Sequence, residues 1–172
     1  MLKPTTMNAA ANEALTVKMV LTAWHGQNTK MDDLLKTLSD EQLAAETAPG
    51  RNTGTYLFGH FIAVNDGLFK LLGIGERMHP ELDEIFLRNP DKSGFSIPSI
   101  DDLKTYWQEV NTALTEKFNQ MQPADWFARH TSVSEEDFAK EPHRNRLNVI
   151  ITRTVHQAYH LGQMAYLKKA TT

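Results

Sequence analysis

Two histidines near the end of the chain have the type and spacing to do chemistry together. His156 and His160 stand four residues apart in a proline-free stretch, 147–167, whose one charged residue is Arg153. On an α-helix, positions i and i+4 project from the same face, so the two imidazoles would point into one space. Rings in an apolar helix need a hydrogen-bond partner or a ligand, because an unsatisfied buried polar group is destabilising.

A third histidine, His60, lies beside Gly59 in another proline-free stretch, 55–72. Three neutral imidazoles from two facing helices suit Zn²⁺, Ni²⁺ or Fe²⁺, and three protein ligands leave coordination positions for water or substrate. Taken alone, the pair at i, i+4 is weak evidence, since this spacing also occurs by chance. Gln157 stands where the zinc-protease motif has its glutamate, so that motif and its general base are excluded.

Two further residues of the same helix are candidates to hold the metal-binding histidines in place or to contact a substrate. Gln163 lies three residues after His160, and Arg153 lies three residues before His156, so both project from nearby turns. Gln163 could orient a ligand or a bound water. Arg153 could receive a substrate carboxylate, or it could be a structural residue paired with an acid such as Asp66. No residue of the chain is assigned as catalytic.

The elements that must position these side chains follow from the prolines and the apolar spacing. Proline is poorly tolerated inside helices, so long helices fit in the proline-free intervals. The patterns predict helices at 8–38, 40–45, 55–72, 81–87, 99–121, 135–140 and 147–167. No alternating β pattern appears, so we predict an all-α chain whose four long helices form a bundle, with residues 1–172 as a single domain. The helix at 147–167 is apolar nearly all round and is predicted to pack on several sides.

Composition narrows the classes of function. The 18 Lys and Arg against 21 Asp and Glu give a net charge of −3, without a basic patch, which argues against nucleic-acid binding. The chain has no cysteine, so it has neither thiolate ligands nor a thiolate nucleophile, and this fits a reducing cytoplasm. Neither a signal peptide nor a membrane span is predicted. We therefore expect a cytoplasmic protein that acts on a small molecule, without nucleic-acid or membrane partners.

The order of these motifs resembles that of a known family. Asn52-Thr-x-x-Tyr-Leu-x-Gly-His60 is followed almost a hundred residues later by His156-Gln-Ala-Tyr-His160-Leu-Gly-Gln163, and both are similar to the DinB-like (YfiT-like) metalloenzyme superfamily. The resemblance implies an up-down-down-up four-helix bundle, often dimeric, with one divalent metal ion held by His60, His156 and His160. Characterised relatives include S-transferases that use low-molecular-weight thiols such as bacillithiol, mycothiol and glutathione.

Three hypotheses follow for the activity. The first is a divalent-metal-dependent enzyme, specifically a thiol-dependent S-transferase, in which the metal lowers the pKa of the nucleophile and the thiol is a cosubstrate. The second is metal-dependent hydrolysis at the same site. The third is a non-catalytic helical module for binding or dimerisation. A homodimer is expected because the last helix has more apolar faces than one bundle core needs.

Overall fold

Helices make up the regular structure of the computed structural model, which describes residues 8–168. The four long helices are α1 (Ala9–Thr37), α3 (Gly54–Leu71), α5 (Ile100–Gln120) and α7 (Arg146–Met164). Three short helices lie between them: α2 (Asp40–Ala44), α4 (Leu82–Phe86) and α6 (Glu135–Lys140). Short 3₁₀ turns follow α5 and α7, at Pro123–Phe127 and Ala165–Leu167. Residues 8–168 contain no β-strand, only two isolated bridges, so the predicted all-α class is confirmed.

Each long helix begins at a polar residue whose side-chain oxygen accepts a hydrogen bond from a free backbone N–H of the first turn. These residues are Asn8, Thr53, Ser99 and Asn145. Such a cap stabilises a helix by about 1 kcal/mol, which is why the predicted starts agree closely with the observed ones. At its other end, α7 stops at Met164 and continues as a 3₁₀ turn, so it is shorter than the predicted 147–167.

The four long helices contact one another in a closed ring. Helix α1 packs against α7, α7 against α3, and α3 against α5. Helix α5 returns to α1 through Trp107, whose indole Nε1–H donates to Asp32 Oδ1 at 2.7 Å. The chain is thus a four-helix bundle, as predicted. The up-down-down-up order of its helices stays a prediction.

Helix α3, rather than α7, is the central helix of the bundle. Most of its side chains are buried, because it packs against α2, α4, α5 and α7. On α7 the buried residues are Leu147, Ile150, Gln157 and Met164. Ile151, Val155 and Tyr159 of α7 are 43%, 66% and 64% exposed. The prediction that this helix packs on several sides was therefore wrong: its apolar residues continue onto a face that no other element of residues 8–168 covers.

A buried network of side-chain amides ties the four long helices together. Gln157 Nε2 on α7 donates to Asn28 Oδ1 on α1 at 3.1 Å and to Asn65 Oδ1 on α3 at 3.3 Å. Asn28 and Asn65 each donate in turn to Asn111 Oδ1 on α5, at 3.1 and 3.0 Å. Amides in a low-dielectric core are costly unless paired, so this network favours one rotation and one height of α7. Since Gln157 follows His156 directly, the same contacts place the histidine pair.

None of the described helices is long and apolar enough to span a bilayer.

Candidate metal centre

The structure brings the three predicted histidines into one cluster between α3 and α7. His156 Nε2 lies 3.2 Å from His60 Nε2 and 3.1 Å from His160 Nε2. One nitrogen from each ring can be chosen so that all three lie within 4.8 Å of one another. All three side chains are half-buried, so the cluster is shielded by the bundle yet open to solvent on one side. Such a cluster could bind a metal ion and leave room for a further ligand.

His60 is oriented by a backbone carbonyl of α4. Its Nδ1–H donates to the carbonyl oxygen of Phe86 at 2.8 Å. Because a carbonyl can only accept, the proton of the neutral ring is on Nδ1, and Nε2 presents its lone pair to the cluster. The contact depends on Gly59: a Cβ there would lie 2.2–2.6 Å from three ring atoms of Phe86. The glycine lets α4 approach α3 closely enough for the Phe86 carbonyl to reach His60.

His160 is oriented by Gln163, one turn further along α7. The His160 Nδ1–H donates to Gln163 Oε1 at 2.7 Å. This contact again puts the proton on Nδ1 and leaves the lone pair of Nε2 directed at the cluster. Histidines that bind metals characteristically donate their other N–H to a carbonyl or carboxylate in this way, which holds the ring in place.

The hydrogen bonds available to His156 show that the three histidine nitrogens fit a bound cation. His156 Nε2 lies between two nitrogens that present lone pairs, and one N–H could satisfy only one of them. Its Nδ1 is buried and has no hydrogen-bond partner among the described residues. A cation among the three Nε2 atoms would satisfy all three lone pairs at once. Ligand nitrogens about 2.1 Å from a tetrahedral zinc lie about 3.4 Å apart, close to the 3.2 and 3.1 Å seen here.

Burial favours the neutral form of His156 and of His60. It lowers the pKa of His156 to about 4, with smaller contributions from the charges of His160, His60 and Arg153. Burial is also the main cause of the lowered pKa of His60, although the hydrogen bond to Phe86 opposes it. Since a metal binds the deprotonated ring nitrogen, the lowered pKa values of His156 and His60 favour the form of each ring that binds an ion.

Arg153 is not paired with Asp66, the acid suggested for it as a structural partner. The buried carboxylate of Asp66 instead accepts from Arg77 Nε at 3.0 Å and from the backbone N–H groups of Met78 and His79. Arg77, Met78 and His79 come from the loop directly after α3, so the partners of Asp66 are close to it in the sequence and do not come from α7. That suggested pairing was therefore wrong. In residues 8–168 the Arg153 guanidinium has no hydrogen bond or ion pair, and its Nε is buried.

A cavity of about 300 Å³ adjoins the cluster on the side of Gln163. Its lining residues are Thr47, Ala48, Arg51, Tyr159, Gln163 and Tyr166. The cavity touches the histidines through Gln163, which bonds His160, and through Tyr159, whose ring centre lies 5.0 Å from that of His160. Its volume is at the lower end of the range found for small-molecule pockets.

The main contribution that sequence reasoning missed is the Phe86 carbonyl, since a backbone acceptor carries no residue-type pattern. Gly59 beside His60 was the available signal, because a glycine inside a buried helix commonly marks a close approach of another element. The sequence pattern around Gln157 indicates only that the glutamate of the zinc-protease motif is absent. The structure shows instead that it anchors α7 through Asn28 and Asn65.

Comparison with known proteins identifies one family. The family model of the DinB superfamily matches residues 23–164, a range that includes His60, His156, His160 and Gln163. A search of curated proteins finds no match to the chain.

Proposed function

Because the chain belongs to the DinB superfamily, we propose that it is a divalent-metal-dependent enzyme with His60, His156 and His160 as the metal ligands. The observation that supports this most directly is the convergence of three Nε2 atoms, two of them on rings held by outer hydrogen bonds to Phe86 and Gln163. Zn²⁺, Ni²⁺ and Fe²⁺ all suit three imidazoles, and metal availability selects among them.

The proposed reaction is transfer of a thiol to a small electrophilic substrate. A divalent ion bound to the three histidines would supply Lewis-acid chemistry, lowering the pKa of a thiol so that its anion forms near neutral pH. The chain has no cysteine, so the thiol is a separate low-molecular-weight cosubstrate. Gln163 holds His160 in its ligand orientation, and the adjoining cavity receives a molecule of small size. The absence of cysteine also favours our proposal of a cytoplasmic location.

Turnover is expected to require both a thiol and the metal. Protein loaded with Zn²⁺ or Ni²⁺ should accelerate conjugation of 1-chloro-2,4-dinitrobenzene to bacillithiol or glutathione, measured by absorbance against the uncatalysed reaction. His156→Ala, or dipicolinate added to the wild type, should return the rate to background. Metal-dependent hydrolysis of p-nitrophenyl acetate without any thiol would instead support the hydrolase alternative. Ligand binding that survives replacement of all three histidines would support the non-catalytic module.

We also propose that the uncovered face of α7 joins two copies of the chain. Ile151, Val155 and Tyr159 recur every four residues and therefore form one exposed apolar stripe. Contiguous exposed apolar surface of this kind marks association sites, and the family resemblance implies a dimer.

The wild type is expected to be a dimer at micromolar concentration, and Val155→Glu is expected to be a monomer. The substitution places a charge in the middle of the stripe, where association would bury it without a partner. Light scattering after gel filtration gives the mass of each. Leu87→Glu, at a residue 42% exposed at the end of α4 and not on α7, should stay dimeric. A monomeric wild type would refute the proposed interface.

A further inference from the structure

Arg153 is a half-buried cation that has no anionic partner within residues 8–168. Most arginines of the described chain have partners: Arg77 with Asp66 and Asp83, Arg88 with Glu84, and Arg144 with Glu141. Arg146 donates to the carbonyl of Asp125. Arg51 has no ion pair among the described residues, but it is exposed, so water solvates it. Arg153 differs from all of these because it is partly buried and, within residues 8–168, has no partner.

The surroundings of Arg153 make its charge unfavourable in the free protein. Removing a guanidinium from water without an opposite charge is costly, and this burial lowers the pKa of Arg153. Its charge also lies close enough to the cluster to depress the pKa of His60 and of His156. A divalent cation bound to the histidines would add further positive charge. With such an ion bound, the ion and Arg153 would together favour an anionic ligand at this site.

The position of Arg153 would let it bind one end of a ligand whose other end faces the three histidines. It lies three residues before His156 on α7, so the two side chains project from adjacent turns of one helix face. Its intermediate exposure leaves the guanidinium accessible from solvent. A guanidinium presents parallel N–H donors that match the two oxygens of a carboxylate, which is the planar, bidentate pairing arginine makes best.

We propose that Arg153 is the carboxylate-recognition residue of this site, so that the molecules bound there are small organic acids whose carboxylate pairs with Arg153 while another group faces the three histidines. This deepens the proposed function and rests on it for the role of the histidines. It adds the substrate class: a carboxylate-bearing thiol or a carboxylate-bearing electrophile.

The first test uses metal-free protein and so is independent of the metal proposal. Arg153→Met replaces the cation by an apolar side chain and so removes the unfavourable burial of an unpaired charge. The melting temperature is expected to rise by about 2–4 °C, which corresponds to about 1 kcal/mol in a chain of this size. Propionate should raise the melting temperature of the wild type more than chloride at equal ionic strength, and should lose this effect in Arg153→Met. A lower melting temperature of Arg153→Met, with the propionate effect retained, would show a structural role and overturn the proposal.

The second test uses Co²⁺-loaded protein, whose visible spectrum reports a thiol entering the metal coordination. The matched probes are 3-mercaptopropionate and 3-mercaptopropan-1-ol, which differ in the carboxylate. The wild type is expected to bind the acid at least about tenfold more tightly, as one charge-assisted bidentate contact would produce. Arg153→Met should abolish that preference, while Arg144→Met, at an arginine paired with Glu141 and outside the adjoining cavity, should retain it.

The two tests separate the two proposals. Failure of Co²⁺ to bind, with the propionate effect present and lost in Arg153→Met, would refute the metal function and leave the carboxylate site standing. A normal Co²⁺ spectrum with an unchanged preference for the acid in Arg153→Met would refute the carboxylate site and leave the metal function standing. Dissociation of the dimer by Arg153→Met, with the preference unchanged, would assign the residue to the interface and likewise overturn the proposal.

Discussion

His156→Ala is expected to abolish metal binding, whereas the wild type is expected to bind about one divalent ion per chain. His156 is the central member of the cluster, because its Nε2 lies 3.2 Å from that of His60 and 3.1 Å from that of His160. Removing it leaves two ligands on separate helices. Metal affinity should therefore fall by more than the 10–100-fold typical of removing a hydrogen bond that holds a ligand ring in place. The measurement is metal content by inductively coupled plasma mass spectrometry, on protein purified without a histidine tag or chelator.

Two further variants test whether the loss of metal is specific to the three-histidine cluster. His143→Ala removes an exposed histidine outside the cluster and should retain the metal of the wild type. Gln163→Ala removes the acceptor of the His160 Nδ1–H and should weaken binding about 10–100-fold without abolishing it. No metal in the wild type, even after incubation with Zn²⁺ and Ni²⁺, would contradict the proposed centre and favour the helical binding module.

Gly59→Ala is expected to destabilise the protein by about 3 kcal/mol, the upper end of the usual cost of overpacking a core. A methyl group at this position would lie 2.2 Å from Phe86 Cζ, and Phe86 is fully buried, so the ring cannot move into solvent. Helix α4 must shift instead, and the hydrogen bond from His60 Nδ1 to the Phe86 carbonyl is then lost. Metal affinity should fall about 10–100-fold together with the stability. Urea unfolding and a metal titration measure the two effects.

Gly67→Ala is the matched control on the same helix. A Cβ at Gly67 meets no atom within 4 Å, so the substitution adds helix propensity without a clash. It should stabilise the protein by up to about 1 kcal/mol and leave the metal affinity unchanged. The two glycines of α3 are therefore expected to respond in opposite directions. Equal responses would show that the close approach of Phe86 does not position His60.

The helices were predictable because their determinants are local. Asn8, Ser99 and their equivalents cap helices with side chains that reach only a few residues along the chain, and prolines exclude helix from their own neighbourhood. The pairing of His156 with His160 is local for the same reason, since four residues make one turn. The placement of His60 against that pair was anticipated from the family pattern, and the structure brings the three rings together.

The contacts between segments that are far apart in the chain could not be predicted from the sequence. The Phe86 carbonyl that orients His60 is a backbone group, so no residue pattern in the sequence marks it. Asp66, the acid expected to pair with Arg153, pairs with Arg77 instead. The apolar residues of α7 were read as buried, yet Val155 and Tyr159 are exposed. An apolar helix face has the same residue pattern whether its partner is the core of its own chain or another molecule. Only the packing of the other helices, which cover α7 on one side, separates a core face from a free one.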